Sequence, residues 1–111
     1  MTENKLQQQC LLWFNNTYCR VGSIPRGMIL HIPNGTREGR KLFNLGLYPG
    51  AADLLIIWDG KPYFFELKTE KGRQTDKQKA FETHCRDSGV YYRVVRSFDE
   101  FKSAVLADVI K

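Results

Sequence analysis

The chain has 111 residues, with 17 Lys plus Arg against 12 Asp plus Glu, a formal charge of +5 and a pI near 9.2. That length supports one domain, residues 1–111, around one core. No apolar run approaches the roughly 20 residues of a membrane span, and the basic balance suits a polyanionic partner such as a nucleic acid.

Met1-Thr-Glu-Asn4 shows no basic n-region, so no signal peptide is expected. Cys10, Cys19 and Cys85 are odd in number and lack Cys-x-x-Cys spacing. They read as reduced thiols of a cytoplasmic protein, not as a zinc site or a disulfide frame.

In chain order, Thr2 to about Thr17 predicts a helix capped by Thr2, with Leu6, Cys10, Trp13, Phe14 and Thr17 recurring at three and four. Glu3 is a first-turn acid, which the helix dipole alone explains. Arg20–Arg26 is a loop, broken by Gly22, Ser23 and Pro25. Met28–Ile32 is a short strand containing His31, a residue more often structural in that setting than a ligand or proton carrier. Thr36–Leu45 carries Arg37, Arg40 and Lys41 among apolar residues, and reads either as a solvated face or as a clamp on phosphates.

Two apolar runs follow, Leu54–Trp58 and Tyr63–Leu67, around Asp59-Gly60, a strong hairpin signal. A two-residue loop places Trp58 opposite Lys61 and, stepping outward, Leu54 opposite Phe65 and Asp53 opposite Glu66. That last pair is of the non-hydrogen-bonded kind, with Cα atoms roughly 4.5 Å apart. Lys68 points to the same face as Glu66. A three-residue loop would instead turn the two acids to opposite faces. Both faces of the hairpin are apolar, so both should be covered, as in α/β packing.

Thr69–Gln74 reads as a polar, mobile connection. Thr75-x-x-Gln78 fits a capping box opening a helix to about Ser88, with Ala80, Phe81, His84 and Cys85 as its buried stripe and Gly89 as its stop. Val90–Val95 is a strand that a crossover makes parallel to Tyr63–Lys68. Ser97-x-x-Glu100 opens a last helix with Phe98, Phe101, Val105 and Val109 on one stripe.

Opposed carboxylates on one face destabilise a sheet, and a hard divalent cation resolves the repulsion. Asp53 and Glu66 can each supply an oxygen, and the Leu67 carbonyl a third. A cation so held activates water and stabilises phosphoryl charge, with Lys68 beside it. The plain alternative is a surface ion pair of Glu66 with Lys68.

These residues resemble the PD-(D/E)XK nuclease signature, as Pro49-Gly-Ala-Ala-Asp53 and Glu66-Leu67-Lys68. More narrowly, the chain resembles the virus-type replication-repair nuclease (VRR-NUC) domain over nearly its whole length. The resemblance runs through Glu3 with Gln7, His31-Ile-Pro-Asn-Gly35, Gly46-x-x-Pro-Gly50-x-x-Asp53, Glu66-Leu-Lys-Thr69, Gly72-Arg73, Gln78 and Tyr92-Arg-Val-Val-Arg-Ser97.

It implies a restriction-endonuclease-like α/β fold, a mixed sheet of about four strands flanked by helices, and Mg²⁺- or Mn²⁺-dependent phosphodiester cleavage. Asp53 and Glu66 would be metal ligands, Lys68 the lysine that positions water, Glu3 an additional acid at the metal, and Gln78 an active-site polar group. Asn34, Arg37, Arg40, Lys41, Lys71 and Arg73 are the candidate DNA contacts. Small stand-alone members of this kind are homodimers acting on branched DNA, including four-way junctions. The other readings are a duplex-specific restriction or nicking nuclease and a non-catalytic DNA-binding accessory protein.

Overall fold

The structure is a computed structural model that describes residues 1–19, 27–33 and 50–110. The predicted loop at 20–26 and the basic segment at 36–45 lie outside the described residues.

Asp59 and Gly60 adopt φ of 50° and 78°, the positive values that a two-residue type I′ hairpin loop requires. The hairpin they close joins β2 (Leu54–Trp58) to β3 (Lys61–Leu67). Its register is the two-residue one, from Trp58 opposite Lys61 out to Leu54 opposite Phe65. A strand β1 (Gly27–His31) pairs antiparallel with β2, Ile29 facing Ile56. It begins and ends one residue before the predicted strand. On the other side β4 (Tyr91–Val95) runs parallel to β3, with Glu66 beside Val94 and Leu67 beside Val95. The sheet is mixed, in the order β1-β2-β3-β4.

One face carries Leu54, Ile56, Trp58 and Phe65, all buried. Against it packs α1 (Glu3–Tyr18), capped by Thr2, whose hydroxyl accepts the Lys5 N–H at 3.1 Å. Its buried stripe is Leu6, Cys10 and Phe14. Thr17, predicted to join that stripe, is exposed; Tyr18 instead turns its ring to Trp58 at 5.6 Å. Beside α1 lies α3 (Phe98–Ala104), capped by Ser97, with Phe101 5.0 Å from the Phe65 ring. The last helix is α-helical only to Ala104; Val105–Val109 winds as a wider π-turn, with Val105 and Val109 buried as the stripe required.

The opposite face holds α2 (Asp76–Asp87), whose Phe81 meets Phe64 at 5.2 Å. The predicted stripe of α2 is too wide. Cys85 is buried and Phe81 half-buried, but Ala80 and His84 are exposed, because α2 meets the sheet along a narrow line. The hairpin is covered on both faces, its residues on this side, Leu55, Ile57 and Phe64, being half-buried; the neighbouring strand is less so. Met28 is 54% exposed and Leu30 38%, on the β1 end of the sheet, away from α2. Among the described residues no helix is long and apolar enough to cross a membrane.

Candidate active site

The site lies where the β2–β3 ladder runs out. In a continued ladder the Leu67 N–H would bond the carbonyl of residue 52. Instead the Asp53 carboxylate takes it, Oδ2 accepting from Leu67 N at 2.7 Å. This turns the Asp53 side chain toward β3. From the other side the Asp53 carbonyl accepts the Ile32 N–H at 2.8 Å and lies 3.0 Å from His31 Nδ1. His31 thus clamps the acid's backbone, the structural role expected of it. Three residues upstream, Gly50 has φ +86°, and a Cβ there would come within 2.5 Å of the Lys77 carbonyl. Glycine lets this segment lie directly on the first turn of α2.

Glu66 is 1% exposed. Its Oε2 accepts from Gln78 Nε2 at 3.0 Å and stands 3.9 Å from Lys68 Nζ. The capping box aims Gln78. Its Oε1 accepts the Thr75 N–H at 2.8 Å, while Thr75 Oγ1 accepts the Gln78 N–H at 3.2 Å, which leaves Nε2 to reach Glu66. Gln78 is therefore both a cap and a site residue. Glu66 Oε1, also buried, has no hydrogen-bond partner.

Burial first, and then the Asp53 carboxyl as hydrogen-bond partner and like charge, push Glu66 up to about 9; Lys68 opposes this and Glu3 adds to it. The two acids thus face each other on one side of the sheet, as the hairpin register demanded. Such a pair is satisfied by a shared proton or by a cation. Lys68 is itself buried, 7% exposed, with its N–H donated to the Val95 carbonyl at 3.0 Å.

A solved structure described as "VRR_NUC domain protein" superposes with a TM-score of 0.77 at 20% identity, over 99% of this chain and 89% of that one. A second, described as "VRR_NUC domain", gives a TM-score of 0.67 at 23% identity, over 96% of each chain. The fold is that of the VRR_NUC domain. No family model matches the sequence, and no curated protein does.

Within this VRR_NUC fold the other candidates are spread out. Glu3 is exposed in the first turn of α1, near enough to raise Glu66 by its charge. Among the described residues no three or more His, Cys, Asp or Glu side chains gather as a metal cluster. Lys71 and Arg73 are exposed on the segment after Lys68. Asn34, Arg37, Arg40 and Lys41 lie outside the described residues.

The predicted mobile connection is instead tied down. Arg96 Nη1 donates to the carbonyls of Thr69, Glu70 and Gly72. Gln74 Nε2 donates to Tyr92 Oη at 3.0 Å and to Glu82 Oε1 at 3.2 Å. Tyr92 pairs with Phe64 in the parallel register, which places it on the face of the acids. Burial, with the charge of Glu66 next, pushes its phenol up. The sequence reading has Tyr92 and Arg96 only as parts of the run Tyr92-Arg-Val-Val-Arg-Ser97, with no role given to either. Alternation from Val94, the residue beside Glu66, was the available signal for Tyr92.

Proposed function

We propose that this chain is a Mg²⁺- or Mn²⁺-dependent DNA endonuclease, formed by residues 1–111 as one domain and acting on branched DNA as a homodimer. The observation that carries the reading is Glu66 Oε1, a buried carboxylate oxygen to which no protein N–H or hydroxyl donates, on a carboxyl that lies against that of Asp53. A hard divalent cation fits that donor set. Asp53, Glu66 Oε1 and the Leu67 carbonyl would hold it, since the carbonyl points to the same side of β3 as the N–H given to Asp53. Glu3, whose charge reaches Glu66, would be the additional acid at the metal, and waters complete the shell.

A bound cation supplies an activated water and stabilises charge on the phosphoryl oxygens. The protein does the rest. Gln78 holds Oε2 and so leaves Oε1 for the ion. Lys68, buried beside Glu66, orients the attacking water and meets the negative charge that develops on the phosphate. The +5 charge draws the polyanion in, and exposed Lys71 and Arg73 contact its phosphates, with Asn34, Arg37, Arg40 and Lys41 as the further contacts. Paired incision of a two-fold junction needs two sites, which an isologous dimer supplies. Free thiols at Cys10, Cys19 and Cys85 suit a reducing compartment such as the cytoplasm.

The test is cleavage of labelled junction, flap, nicked and linear DNAs with Mn²⁺ and with chelator. Metal-dependent incision favouring the branched substrates is expected. Equal incision of linear duplex would point to a restriction or nicking enzyme. DNA binding without incision would point to an accessory protein.

A further inference from the structure

Lys68 is held in place from the end of β4. Its backbone N–H bonds the Val95 carbonyl at 3.0 Å. Gly72 lies alongside its aliphatic stem: a Cβ added there would make ordinary contact with Lys68 Cδ at 3.5 Å and a tight one with Thr69 Oγ1 at 3.0 Å. Gly72 is folded back by its own N–H, donated to the Thr69 carbonyl at 3.1 Å. The residue after Val95 completes the arrangement. Arg96 Nη1 donates to Gly72 O at 2.6 Å, Thr69 O at 2.9 Å and Glu70 O at 3.4 Å.

Carbonyl dipoles converging within one turn repel each other unless a cationic donor sits among them. A guanidinium supplies charge-assisted hydrogen bonds from a planar, pre-organised head. The short polar stretch Thr69–Gln74 has no apolar residue of its own to anchor it, and this cation ties Thr69, Glu70 and Gly72 to the end of β4.

We infer that Arg96 is a positioning residue for Lys68: by closing the turn at 69–72 it fixes the backbone that follows Lys68 and keeps Gly72 alongside the lysine stem, which holds the ammonium beside Glu66. The inference rests on the nuclease reading above, in which Lys68 acts on water and phosphate. It distinguishes Arg96 from the basic residues that contact DNA, because its role is exerted through the turn.

The experiment combines steady-state cleavage with Mn²⁺ and hydrogen exchange of the cation-free protein, for Arg96→Ala, Lys68→Ala and the double variant. Arg96 is exposed, so its truncation opens no core; Arg96→Lys serves as a second variant that keeps the charge and should show a smaller loss in the same direction. Expected for Arg96→Ala is a fall in kcat of about 10- to 100-fold, the scale of a misplaced catalytic group, with KM unchanged and faster amide exchange across 69–72. In the Lys68→Ala background the same substitution should change kcat by less than about twofold, since the group it positions is gone.

A raised KM with unchanged kcat would make Arg96 a DNA contact and overturn the inference. So would unchanged exchange at 69–72, or a kcat loss fully additive with that of Lys68→Ala. Undiminished cleavage by Lys68→Ala would overturn the reading of the site itself, and the positioning role with it.

Discussion

The Asp53 carboxylate accepts the Leu67 backbone N–H at 2.7 Å, so the acid that precedes β2 is tied to the backbone between Glu66 and Lys68. The side chain therefore has a structural bond and a proposed ligand role at once, and substitutions can separate them. Asp53→Asn keeps an oxygen for Leu67 and should unfold in urea at or above the wild-type midpoint, yet lose Mn²⁺-dependent cleavage. Asp53→Ala should lose cleavage and also cost about 1–3 kcal/mol, the penalty of stranding a buried N–H. Wild-type cleavage by the Asn variant would remove Asp53 from the ion.

The raised Glu66 makes stability depend on pH in a definite direction. Its carboxyl is pushed from an ordinary 4.5 up to about 9, by burial and then by Asp53. Between those values the folded protein keeps a proton that the unfolded chain has released. Stability of the cation-free protein is thus complete below the unfolded value, declines as pH rises, and is lost as pH passes through the folded value. Glu66→Gln, neutral throughout, should flatten this slope. Unfolding in chelator at pH 5, 7 and 9 measures it; parallel curves for the two proteins would contradict the assignment.

A cation competes with that proton. Mg²⁺ or Mn²⁺ should raise the Tm of the wild type, by the equivalent of about 2.7 kcal/mol at a hundred times Kd. Binding should release a proton below pH 9, seen as a buffer-dependent heat in titration calorimetry. Glu66→Gln should show neither effect. A wild-type Tm indifferent to both ions would leave the acid pair a purely protonic one.

Gln78 joins the cap of α2 to Glu66. Gln78→Ala removes both bonds and should cost about 1 kcal/mol as a lost cap, plus the donor to Glu66. Gln78→Glu keeps an acceptor for the Thr75 N–H but replaces that donor with a further carboxylate. In chelator at pH 8 it should be less stable than wild type, and Mn²⁺ should raise its Tm by more. Equal shifts in the two proteins would place Gln78 outside the ion's reach.

Gly50 reports on the packing that carries Asp53. With φ +86° and a Cβ 2.5 Å from the Lys77 carbonyl, Gly50→Ala should destabilise by about 1–3 kcal/mol from the backbone conformation alone, and the clash adds to this. Cleavage should fall with it under conditions where the variant remains folded. A Gly50→Ala protein of wild-type stability would show that the close approach to α2 is dispensable.

The hairpin register was legible because Asp59-Gly60 prescribes its own backbone and a two-residue loop then assigns each cross-strand pair in turn. The caps at Thr2, Thr75 and Ser97 were legible for the same reason: their partners lie three residues away. By itself, then, the sequence determined that Asp53, Glu66 and Lys68 share one face at the end of an apolar hairpin. Only the tertiary structure decided which Glu66 oxygen is left open, because Gln78 reaches the other one, Oε2, from another element, and that Thr69–Gln74 is tied to β4, because Arg96 arrives from the far side of a crossover. It also decided the narrow contact of α2, which exposes Ala80 and His84, and the bare end of the sheet at Met28 and Leu30. Local rules act between near neighbours through sterics and short hydrogen bonds. The partner and ionisation of a buried polar group depend instead on burial and charge contributed by segments that meet only in the folded chain.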